Sequence, residues 1–102
     1  MYDDCHKVCM KRVYTKKLSR IRKARWTAAG QCPVPLDSLV AIQSVVYVDK
    51  VIQYAQHPNT YEPVTVVITP YGILLWNGHH RAHAQMIRGR KNVWADVYTV
   101  DL

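Results

Sequence analysis

Ile73-Leu74-Leu75-Trp76-Asn77-Gly78-His79-His80-Arg81-Ala82-His83-Ala84 decides how this chain is read. The apolar run Ile73–Trp76 reads as a buried strand, Asn77-Gly78 as a turn, and His80–Arg88 as a helix that Gly89 ends in the manner of a C-terminal glycine cap. A strand that turns on glycine directly into a helix exposes backbone N–H groups at the positive end of the helix dipole, where phosphates bind readily. Gly78 permits close backbone approach, and a guanidinium at a helix start, Arg81, can grip phosphate oxygens through two parallel hydrogen bonds. His79 and His80 carry several readings: neutral, they are metal ligands or a general base; protonated, they hold a phosphate; otherwise they cap the turn. Gly78, His79, His80 and Arg81 are therefore the candidate phosphate-binding residues, and His79 and His80 the candidates for catalysis. No metal site is expected, because the nearby carboxylates Asp96 and Asp101 fall on the last strand or beyond it.

On a helical wheel of residues 80–88, Ala82, Met86 and Ile87 fall on an arc centred near His83, with Arg81, Gln85 and Arg88 opposite. His83 is thus expected to be a semi-buried, hydrogen-bonded histidine rather than a ligand. Upstream, Val64–Thr69 is dense in β-branched residues and Pro70-Tyr71-Gly72 is a turn signal, giving a second strand beside the first. Val48–Gln56 reads as a helix with Val51, Ile52 and Ala55 at helical spacing, Asp49 near its N-terminus and a stop at His57-Pro58-Asn59. Leu36, Leu39, Val40 and Ile42 suggest an earlier strand. Val93–Val100 closes the chain with Val93, Ala95, Val97 and Thr99 on one face and Trp94, Asp96, Tyr98 and Val100 on the other.

The formal charge of +7 is unevenly placed. Residues 1–32 hold nine Lys/Arg against Asp3 and Asp4, whereas residues 33–102 hold five against five. Such a block is the footprint expected for nucleic acid or another polyanion, or else a solvated basic face, and Lys11, Arg12, Lys16, Lys17, Arg20, Arg22, Lys23 and Arg25 are the candidate nucleic-acid contacts. Tyr14, Leu18 and Ile21 recur at helical spacing with Arg25 continuing the row, so this segment reads as a helix with one narrow apolar stripe, docked on the domain or mobile until a partner arrives. Gly30, Pro33 and Pro35 place a boundary near Cys32, dividing a basic arm (1–32) from a domain (33–102). Cys5, Cys9 and Cys32, with His6, match no paired-knuckle zinc spacing and are read as free thiols. No signal-peptide core or bilayer-spanning run is evident, which points to the cytoplasm and to no membrane partner.

The quoted stretch resembles the signature of the ParB/sulfiredoxin superfamily, in which a strand runs into Gly, two variable residues and Arg, then an Ala-rich helix, Gly and a terminal strand. Pro63-Val64-Thr65-Val66-Val67 resembles the family's proline-led strand after a helix, and the likeness covers about residues 35–100. The resemblance implies an α/β fold, a small mixed sheet with packed helices, preceded here by the basic helix or arm. It also implies a nucleoside triphosphate partner, CTP as in chromosome-partitioning ParB proteins or ATP as in sulfiredoxins, with Mg2+ and with the glycine turn and Arg81 against the phosphates. Sulfiredoxins place their reactive cysteine directly after the glycine; His79 stands there, so sulfinic-acid reduction is not expected. ParB proteins usually have Glu at that position, associated with magnesium and the phosphates, so an NTPase activity of ParB-like type is left open, and nothing in these residues corresponds to the helix-turn-helix and dimerisation regions of ParB. Small relatives in phages and plasmids are often described as ParB-like nuclease domains.

Three functional readings follow: a nucleotide-binding domain that engages DNA through Lys11–Arg25; a non-enzymatic DNA- or protein-binding module whose phosphate turn has become structural; and a metal-assisted nuclease using His79 and His80. The oligomeric state is left open, a dimer included.

Overall fold

A computed structural model describes residues 5–7, 11–12, 15–43, 45–57 and 62–102, with side chains from residue 17 onward. In chain order the elements are β1 (Cys5–Lys7), β2 (Lys11–Arg12), α1 (Thr15–Lys23), β3 (Arg25–Pro35), a 3₁₀ turn (Leu36–Ser38), β4 (Leu39–Ala41), β5 (Val45–Tyr47), α2 (Val48–Gln56), β6 (Val64–Thr69), β7 (Gly72–Asn77), α3 (His79–Ile87) and β8 (Asn92–Asp101). The main sheet is mixed, in the order β2-β4-β7-β6-β8-β3, and β1 pairs with β5 in a separate antiparallel ladder.

Helices cover both faces of this sheet, so its central strands are apolar on both sides. One face carries Val64, Val66, Leu75, Ala95 and Val97 against Ala82 and Met86 of α3. The other carries Val67, Leu74, Trp76, Tyr98 and Val100 against Leu18 and Ile21 of α1. Consecutive residues such as Val66 and Val67, or Leu74 and Leu75, are both fully buried because they feed opposite cores. A third cluster, Val46, Val51 and Ala84, fixes α2 to α3.

Several sequence expectations are corrected. The boundary near Cys32 falls inside β3, which pairs with β8 from Arg25↔Asp101 to Pro35↔Asn92; the prolines lie in an edge strand, where a missing N–H is tolerated. Residues 15–32 are thus built into the domain and are not an arm: Ile21 is fully buried, and Trp26 Nε1 donates to the Ile21 carbonyl at 2.8 Å. Tyr14, the first residue of the expected stripe, lies outside the described residues, as do Cys9 and Pro58-Asn59. The strand expected from Leu36 begins only at Leu39, because Leu36–Ser38 coil into a turn closed by Ser38 Oγ donating to the Pro35 carbonyl at 2.7 Å. Ile87, expected on the buried arc of α3, is 65% exposed. The buried stripe starts at His79 and runs through Ala82 and His83 to half-buried Met86, so Ile87 is carried past the core.

Replacing Ile21 by Ala is expected to lower the urea unfolding free energy by about 2–4 kcal/mol, the usual cost of emptying a buried aliphatic site. A loss below about 0.5 kcal/mol, the range of surface substitutions, would show that α1 is not docked.

Candidate functional site

The site is the corner where β7 turns into α3. Gly78 is the N-terminal cap of α3 with φ of 100°, a left-handed conformation that L side chains rarely adopt. A Cβ there would lie 2.6 Å from Val64 Cγ1, so β6 leaves no room for a side chain. β7 also carries a bulge here: Thr65↔Asn77 and Val66↔Leu75 are successive pairs, which leaves Trp76 as the extra residue.

A glycine cap has chemical consequences. Ser or Asp at that position would occupy first-turn amides; Gly78 makes no side-chain cap, and α3 has no acidic residue in its first turn. The Ala82 N–H closes the first helical bond on the Gly78 carbonyl at 2.9 Å, so the N–H groups of His79, His80 and Arg81 have no intrahelical acceptor. They border a cavity of about 120 Å³ lined by Gln43, Tyr54, Asn77, Gly78, His79, His80 and Arg81. His80 and Tyr54 also line a larger cavity of about 410 Å³, shared with Lys50, Gln53 and His57 of the α2 segment.

The four sequence candidates play different parts. Arg81 Nη1 donates to the Glu62 and Pro63 carbonyls, both at 2.9 Å, which anchors the guanidinium at the mouth of the corner. Its Nη2 stands 3.0 Å from where a Gly78 Cβ would be. His80 accepts the Tyr47 N–H on Nε2 at 3.1 Å and lies parallel to the Tyr47 ring, 6.0 Å between centroids. His79 is only 2% exposed, and its Nε2 accepts the Ile42 N–H at 3.2 Å. The His79 ring is therefore a tie between the end of β4 and α3, and the expectation of phosphate contact or catalysis by that side chain is corrected. His79 and His80, the two imidazoles of the metal-assisted nuclease reading, each carry a backbone amide on Nε2. Among the described residues no group of three or more His, Cys, Asp or Glu gathers in metal-binding geometry.

Burial, then the proximity of His83 and His80, lowers the pKa of His79 from 6.5 to about 4. Burial is also the main cause for His80, where Lys50 lowers further and Asp49 opposes, and for His83, where His80 adds to it. A neutral ring is what an amide donor requires. His83 was expected to be hydrogen-bonded; it is buried, and its Nε2 has no partner among the described residues.

Sequence reasoning missed the α2 contribution. Lys50, Gln53 and His57 recur at intervals of three and four, a polar row beside the apolar Val51–Ala55 side that a wheel of this helix would have shown. The basic segment is not brought to this corner. Lys17, Arg20, Arg22 and Lys23 lie on α1, across the sheet, and Arg25 opens β3; the side chains of Lys11, Arg12 and Lys16 lie outside those described. No helix among the described residues is long and apolar enough to cross a membrane.

The fold is a mixed α/β fold of sulfiredoxin-like type. Among solved structures, a sulfiredoxin from Arabidopsis thaliana is similar over 66% of this chain and 82% of its own, with a TM-score of 0.57 and 16% sequence identity. No protein-family profile and no curated protein sequence matches the chain.

Because the pKa of His79 is depressed on folding, the unfolded chain binds more protons between about pH 6.5 and pH 4, and stability falls with falling pH across that window. It is whole above pH 6.5; by pH 4 the shift removes roughly 3 kcal/mol. Urea unfolding at pH 7, 5.5 and 4 should show this decline, with a flatter profile for His79→Gln; an equally steep one would assign it to other groups. Gly78→Ala is expected to cost roughly 2–4 kcal/mol, from left-handed strain and overpacking on Val64; retention of wild-type stability would mean the turn relaxes.

Proposed function

We propose that this corner binds the phosphates of a nucleoside triphosphate, CTP or ATP, and that the rest of the nucleotide occupies the adjoining α2 cavity. The observation that carries the reading is a pair of neighbouring spaces with His80 and Tyr54 in both linings: a small polar cavity at the first turn of α3 and one of about 410 Å³ beside α2. The larger volume lies within the ordinary range for small-molecule sites. Its polar lining suits an anion, with Lys50 as a point charge, the α3 amides and dipole behind it, and Arg81 held in place by Glu62 and Pro63. Among the described residues the cavity linings contribute no carboxylate, so Mg2+ would enter on the phosphates and not on those residues.

The role assigned is binding. Both candidate bases carry backbone amides on Nε2, which leaves neither poised to take a proton from water at that atom.

Calorimetric titration with CTP, ATP and inorganic pyrophosphate, with and without Mg2+, tests the reading. Saturable binding of a nucleotide, weakened about tenfold by Lys50→Ala, corresponds to a loss of about 1.4 kcal/mol and supports it. No saturable heat from either nucleotide with folded protein rejects it and leaves the turn a purely structural device.

A further inference from the structure

The basic helix α1 plays no part in the nucleotide corner, which lies on the other side of the sheet, so its chemistry calls for a separate account. We infer that the outer face of α1, centred on Arg20 and Lys23, is a docking surface for the phosphate backbone of nucleic acid. This inference does not rest on the nucleotide reading.

Three observations carry it. First, the helix is positioned. Leu18 and Ile21 are buried in the core, Trp26 Nε1 holds the last-turn Ile21 carbonyl, and the flanking cations sit on aromatic rings: Lys17 Nζ is 4.5 Å from the Tyr71 centroid and the Arg22 guanidinium 5.4 Å from that of Trp76. Second, Arg20 and Lys23 lie one turn apart, exposed, on the side away from that stripe, and α1 has no acidic residue in its first turn. Third, the carboxylates near this face are few among the described residues. Asp96, on the same face of β8 as Tyr98 and Val100, accepts a hydrogen bond from Gln31 Nε2 at 2.6 Å, and Asp101 lies opposite Arg25 at the strand end.

The same observations select the partner. A helix that inserts into a membrane interface does so by an exposed apolar face, and the apolar stripe of α1 is consumed by the protein core. Trp26 and Trp76 are half-buried and meet edge to face at 4.9 Å, so they are engaged with each other and are not open platforms for bases. What remains is a fixed set of guanidinium and ammonium groups, which suits phosphates without reading sequence.

The test is fluorescence anisotropy of the full chain on a labelled DNA duplex across 50–200 mM salt without nucleotide. Arg20→Ala/Lys23→Ala is compared with Arg90→Ala/Lys91→Ala. The control pair is exposed too but adjoins Asn92, at the opposite end of the β3–β8 pair from α1. Wild type should bind with a steep salt slope, and the α1 pair should make that slope shallower by about 2, since each phosphate contact contributes about 0.9; the control pair should keep the wild-type slope. The proposal is overturned by no duplex binding at 50 mM salt, by a wild-type slope in the α1 variant, or by equal loss in both variants, which would assign binding to net charge. Phosphatidylglycerol vesicles are the last arm: vesicle binding lost in the α1 variant with duplex binding intact would assign the helix to membranes and also overturn it.

Discussion

The closeness of β6 to the turn after β7 constrains everything at the candidate site. Val64 sits where a Gly78 side chain would begin, so the chain passes that point only as glycine in a left-handed conformation. The same residue then has to start a helix without a side chain to cap it. Open first-turn amides are therefore a by-product of packing, and an anion placed there would substitute for the missing cap. Arg81 reinforces the corner by reaching back to the Glu62 and Pro63 carbonyls just ahead of β6, which ties the helix start to the strand that crowds Gly78.

The two histidines extend that constraint to the other wall. His79 takes the Ile42 amide and His80 the Tyr47 amide, so Ile42, next to Gln43 on the cavity, and Tyr47 are each tied to the first turn of α3. Imidazole suits this task because a neutral ring nitrogen accepts a backbone N–H, and burial keeps the ring neutral. Residues with the look of catalytic groups are thereby committed to holding the walls, while the side chains that face the space, Lys50 and Gln53 among them, come from α2.

The sequence shows most of the elements because their patterns are local. α2 occupies Val48–Gln56 as its spacing and the His57 stop require, and β8 alternates as its residues do, with Val93, Ala95 and Val97 buried. The end of α3 was equally legible: Gly89, at φ of 75°, donates to Met86 while Arg90 donates to Gln85, the paired bonds of a glycine C-terminal cap. What was not legible depends on distant partners. Charge and prolines suggested a boundary at Cys32, but pairing with β8, some sixty residues on in sequence, decided that β3 runs through it. His79 reads as part of an exposed turn by its polarity; its place one turn ahead of Ala82 and His83 sends it inward.

The placement of α1 shows how a strongly cationic helix can be held at all. Its short apolar stripe buries two residues, a small driving force for nine residues that carry five cations. Aromatic rings at both margins change the balance. Tyr71 and Trp76 each receive a cation from α1, so part of the charge that would repel within the helix is met by ring faces of the sheet, and the long stems of Lys17 and Arg22 cover apolar surface. The cations left over point outward for a geometric reason: Arg20 and Lys23 each follow a buried residue, Leu18 or Ile21, by two positions, and two positions carry a helix round to the opposite side. The cost of gathering like charges on one face is thus tolerated by the same packing that fixes them, and the sheet between them and the α3 corner keeps the two cationic regions apart.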